Sequence, residues 1–104
     1  MLDMNVSEFL AVVEKNNCES FWQIGKKYFI RTVTMHSVGK LISIDDKELV
    51  LSDASWVADS GRFYNALNDG TLNEVEPFVN DVLINRNSII DATVWDHDLP
   101  TKQK

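Results

Sequence analysis

The chain has 104 residues, 44% of them hydrophobic, which suits one domain with a modest core. Its formal net charge of −6 sets it against long phosphate backbones. No apolar run approaches the roughly 18 residues that a membrane span needs, and the single cysteine, Cys18, has no partner for an internal disulfide. The start Met1-Leu2-Asp3-Met4-Asn5 is polar and acidic where a secretory leader carries bases, so a reducing, cytoplasmic setting is expected.

In chain order, the first expected element is a helix over 7–17. Ser7 serves as N-cap, Phe9, Leu10, Val12 and Val13 make an apolar stripe, and Asn16-Asn17 marks a stop. Phe21-Trp22-Gln23-Ile24-Gly25 is a connector whose two aromatics plug the core. Over 26–54 the expectation is a long bent strand and a hairpin. Tyr28, Phe29, Ile30, Val33, Val38, Ile42 and Ile44 supply β-formers, Gly39 permits a kink, and Asp45-Asp46-Lys47 forms the turn before Leu49-Val50-Leu51.

Residues 55–80 read as an insertion with one short helix. Asp59 or Ser60 is the expected cap, Phe63, Ala66 and Leu67 share a side, and Gly70 ends it in the left-handed conformation. Glu74-Val75-Glu76-Pro77-Phe78 is extended, with Pro77 confining it to an edge. The last hairpin covers 81–95 around Asn85-Arg86-Asn87. Residues 96–104 are expected as a solvated tail, frayed after Pro100. The fold class is mainly β: a small SH3-like or Sm-like barrel with an N-terminal helix and a helical insertion before the last hairpin.

The two hairpins resemble the paired motifs of the Sm-like (Lsm and Hfq type) superfamily. Gly39, Leu41, Asp45, Leu49, Leu51 and Asp53 match the first motif, and Ile84, Arg86, Asn87 and Ile89 the second. The resemblance covers roughly 28–54 and 80–95 and implies ring assembly and binding without catalysis. Two departures stand out. Asp46-Lys47-Glu48 replaces the Met-Asn pair that stacks on a base in RNA-binding members, and Asn87 replaces the glycine that usually follows the Arg. The whole chain, through Trp56–Phe63 and Asn73–Phe78, is also similar to small proteins encoded by tailed phages and prophages.

Chemistry-bearing clusters are sparse. Asp96-His97-Asp98 has ligand-type residues, but neighbours on an extended chain point to opposite faces, and no metal site is expected. Asp45-Asp46 reads as turn chemistry and not as a catalytic pair. Neither a nucleophile with its base nor a glycine-rich phosphate loop is present, so the chain is expected to be no enzyme and to need no cofactor. The candidate ligand-binding residues are Trp56, Ser60, Gly61, Arg62 and Tyr64 in the insertion, with Arg86 in the last turn. They combine stacking rings, a cation suited to bidentate phosphate contacts and a helix start.

The expected function is a phage-encoded, homo-oligomeric ring in the host cytoplasm. It would hold a small nucleotide-type ligand, as a sequestering agent for a host immune signalling nucleotide. Two alternatives are a virion structural or assembly protein, and an acidic adaptor that inhibits a host protein through Asp45, Asp46, Glu48, Asp53, Glu74 and Glu76.

Overall fold

The structure is a computed structural model and describes residues 21–104. The expected helix over 7–17, and Cys18, lie outside the described residues. In chain order come β1 (Lys27–Thr32), β2 (His36–Ile44), β3 (Glu48–Asp59), α1 (Phe63–Asp69), β4 (Glu74–Pro77), β5 (Val82–Asn85), a 3-10 turn (Arg86–Ser88) and β6 (Ile89–Val94). All strand pairings are antiparallel, in the order β4-β3-β2-β1-β6. β5 pairs with the first half of β3, from Glu48 opposite Asn85 to Leu51 opposite Val82. The 3-10 turn then carries the chain from β5 into β6, which pairs with β1. That corner closes the sheet into a barrel, as the sequence leads one to expect.

The long bent strand expected over 28–44 is instead a hairpin. β1 and β2 are joined at Val33-Thr34-Met35, where the Thr32 hydroxyl and the Met35 backbone hold each other at 3.0 Å. None of these joining residues is a usual turn former, so composition hid the turn. The strand that does bend is β3. Its first half pairs with β5 and its second half with β4. The bend falls where the β2–β3 register shifts, beside Gly39. A Cβ on Gly39 would stand 2.8 Å from the Ala54 Cβ, so only glycine lets the strands approach this closely.

Alternation along the strands fills both faces of the sheet. One face encloses the inner core of Tyr28, Ile30, Leu41, Leu49, Leu51, Ala54 and Ile84, with Trp22 packed against it. The other carries an outer core of Phe29, Val38, Val57, Ala66, Leu72, Val75 and Trp95. Tyr28 and Phe29 are neighbours in sequence yet belong to different cores, as the two-residue period of a strand requires.

The outer core exists because the insertion and the C-terminal segment fold over it. The expectation of a solvated tail over 96–104 does not hold for its first half. Trp95 is buried, stacks on Phe29 and donates its indole N–H to the Asp98 carbonyl at 3.1 Å. The His97 ring lies 2.8 Å from the Leu67 carbonyl, and a Cβ on Gly70 would collide with it. Leu99 packs against the outer core, and the Lys104 N–H reaches the Val75 carbonyl of β4 at 3.0 Å. A burying indole ring and satisfied backbone carbonyls outweigh the polar character of the segment.

Candidate functional site

The 3-10 turn at Arg86 sits against the β2–β3 turn. The Arg86 backbone N–H donates to the Lys47 carbonyl at 2.9 Å, and its guanidinium donates to the Asp45 carbonyl at 2.5 Å. Asp45 shapes that turn itself, accepting from the Lys47 and Glu48 backbone N–H groups at 2.8 Å each. Those donors hold the Asp45 carboxyl below its ordinary range. Arg86 is therefore a clamp between two turns, with part of its donor capacity already used.

The insertion lies at the other end of β3. Glu48 is opposite Asn85, and from there to Trp56 the strand runs on the order of 25 Å at about 3.3 Å per residue. The N-cap of α1 is Arg62, with no side-chain cap; the expected caps are used differently. Asp59 accepts from the Gly61 N–H at 2.8 Å, and the Ser60 hydroxyl donates to the Gly61 carbonyl. Gly61 is left-handed at φ 73°, and the Asn73 amide fills the space a side chain would take. Gly70 ends α1 at φ 76°, as expected.

The six candidate ligand residues are not brought together within one copy. Trp56 stands opposite Ser37, which stands opposite Ile30 of the inner core, so its half-exposed ring lies on the barrel side of the sheet. α1 packs on the reverse side through Ala66. Arg62 and Tyr64 are exposed on that reverse side, with Ser60 and Gly61 committed to the loop. Arg86 is at the far turn. Three locations result, separated by the sheet and by its length.

The structure assembles two other groups that spacing along the chain did not reveal. Arg31 is held by both carboxylate oxygens of Asp91, opposite it across the β1–β6 pair, and lies 4.9 Å over the Phe63 ring. The pairing lowers the Asp91 carboxyl and raises Arg31 further. Phe63 in turn meets Phe29 edge-on at 5.8 Å, which anchors the helix start to the sheet. The second group is Lys27 and Lys40, directly opposite on β1 and β2. They meet only through the β1–β2 turn, which carries no turn signal.

Among the described residues no three His, Cys, Asp or Glu side chains gather as metal ligands, and no helix is long and apolar enough to cross a membrane.

Comparison with solved structures identifies the architecture. A heptameric archaeal Sm protein superposes with a TM-score of 0.50 at 16% identity, over 81% of this chain and 96% of that one. The P. aerophilum SmAP1 heptamer gives 0.51 at 15% identity, over 86% and 95%. The fold is the Sm fold. No family model matches the chain, and no curated protein matches it either. β4 and β5 lie along the two halves of β3 as one interrupted strand, broken after Pro77, and α1 fills the connection that precedes them.

Proposed function

We propose that the protein is a non-catalytic binding module that works as a closed ring of identical copies and holds a nucleotide-type ligand. One observation carries the ring. Among the described residues, β5 is paired only with β3 and β6 only with β1, so each leaves an edge unpaired. Each edge strand also exposes a large aliphatic residue, Leu83 on β5 and Ile90 on β6. Unpaired edges are templates for another chain. Two different edges on one protomer give a head-to-tail contact, which forms a ring when its rotation closes. The Sm neighbours being heptamers agrees with this.

The ligand reading rests on chemistry. Cationic and aromatic side chains are available on the surface, while the net charge of −6 favours a small anion over a long polyanion. A phage-encoded sequestering role against a host signalling nucleotide is the finer form of this reading, supported by the sequence resemblance alone. Sedimentation velocity of the full chain tests the ring. The wild type should sediment as one closed oligomer, and Leu83→Lys with Ile90→Lys should give a folded monomer. A wild type that is monomeric at micromolar concentration would defeat the proposal.

A further inference from the structure

The geometry points to a nucleotide-binding groove on the outer face of the sheet, beneath the C-terminal segment and away from both Sm-motif turns; it rests on the nucleotide reading above and gives it a site. The groove is lined by Lys27, Lys40, Asp53, Phe78, Asp98 and Pro100, among others. Three of its properties fit one class of ligand.

First, it pairs two cations. Lys27 and Lys40 are in register on adjacent antiparallel strands. Residues so placed have Cβ atoms about 5 Å apart and point to the same face, and like charges there repel. Lys27 is partly served, donating to the His97 carbonyl at 2.5 Å. Lys40 is half-buried and has no hydrogen-bond or ion-pair partner among the described residues. An anion between the two ammonium groups relieves the repulsion and satisfies Lys40. A phosphate, with several acceptor oxygens, can take both.

Second, the groove offers an unused aromatic ring. Phe78 is 42% exposed at the break between β4 and β5, anchored by its backbone N–H to the Ala54 carbonyl at 2.8 Å. Its own position is fixed while its ring has no aromatic partner among the described residues. A planar base stacks on such a ring.

Third, two carboxylates, Asp53 and Asp98, share the groove and form no ion pair among the described residues. Ionised carboxylates only accept hydrogen bonds. They oppose a bare polyanion and favour a ligand that carries N–H donors at a distance from its phosphate. A purine nucleotide with an exocyclic amine or ring N–H has that arrangement. Asp53 is also the one non-glycine described residue at positive φ, 50°, which places it at the bend of β3 next to Gly39's close contact.

Isothermal titration of the full chain with AMP, GMP and purine cyclic dinucleotides tests the assignment. A member of the panel should bind, and Lys40→Gln should weaken it by about tenfold or more, as loss of one charge-assisted phosphate contact does. Arg62→Ala should leave the affinity within about twofold. Because a variant can fail by misfolding, acylation of lysines in the wild type, read by mass spectrometry, gives a second measure: the bound nucleotide should protect Lys40 and Lys27 and leave Lys47 reactive. Binding that survives Lys40→Gln, with Lys40 unprotected, overturns the groove and leaves the nucleotide reading standing. A panel that gives no binding at all overturns that reading, and the groove with it.

Discussion

The inner and outer cores share one sheet but are assembled from different parts of the chain. The inner core draws on β1, β2, β3 and β5, elements that lie beside one another in the barrel, and their alternation, with Trp22 of the preceding connector packed against it, buries Tyr28, Ile30, Leu41, Leu49 and Leu51. The outer core needs contributions from outside the sheet: Ala66 from α1, Leu72 from the following loop, and Trp95 with Leu99 from the C-terminal segment. The first follows from closing a barrel. The second is a layer added to it, and it creates the groove that the barrel alone would lack. A closed barrel can therefore keep its interior while a short helix and a folded-back segment build a further surface on its outside.

Breaking each core separately sharpens the contrast. Trp95→Ala should cost most, about 3–5 kcal/mol, because the ring stacks on Phe29 and meets His97 edge-on at 5.1 Å. If the layer detaches as a unit while the barrel persists, urea unfolding of this variant will also show a smaller m-value. Leu51→Ala in the inner core should cost about 2–5 kcal/mol with the m-value unchanged. Gly39→Val sits at the β2–β3 contact and should cost about 1–3 kcal/mol by overpacking against Ala54, measured in the same titration.

Gly70→Ala acts on the outer layer alone. The residue is left-handed, and the new Cβ would stand 2.6 Å from the His97 ring. A loss of about 1–2 kcal/mol is expected, together with displacement of His97, visible as a shift of its ring resonances.

The smallest effect is electrostatic. Asp45 and Asp91 both titrate below their ordinary value of 3.8 in the folded protein. Their contribution is therefore complete above that value and is lost as the pH falls through the depressed ones. Acid unfolding should show this limb, and Asp91→Asn should flatten it, with little change at neutral pH because the pair with Arg31 is exposed.

The sequence carried the barrel because alternation and turn chemistry are local. Asp45 folds its own turn, Pro77 sits on an edge strand, and Gly70 closes its helix, all as composition predicts. What escaped has no local signal. The β1–β2 turn uses Val33-Thr34-Met35, residues typical of strands, so two strands read as one. His97 and Leu99 follow the last hairpin with no periodic pattern, and only α1 and the outer core give them something to cover. Within one copy the candidate site residues, expected to meet between subunits, stay apart for a related reason. Trp56 and Arg62 are close in sequence, but β3 ends at Asp59 and the chain then carries α1 over the outer face, while Trp56 lies on the barrel side, so the sheet stands between them. Lys27 and Lys40 are far apart in sequence and meet through the unannounced turn.

Native-state hydrogen exchange of the full chain tests the layered account most directly. Peptides covering 63–73 and 95–104 should open together, at a lower free energy than β1 and the first half of β3, because they form one cooperative layer over a more stable barrel. Full exchange of 95–104 while 63–73 stays as protected as the barrel strands would contradict it.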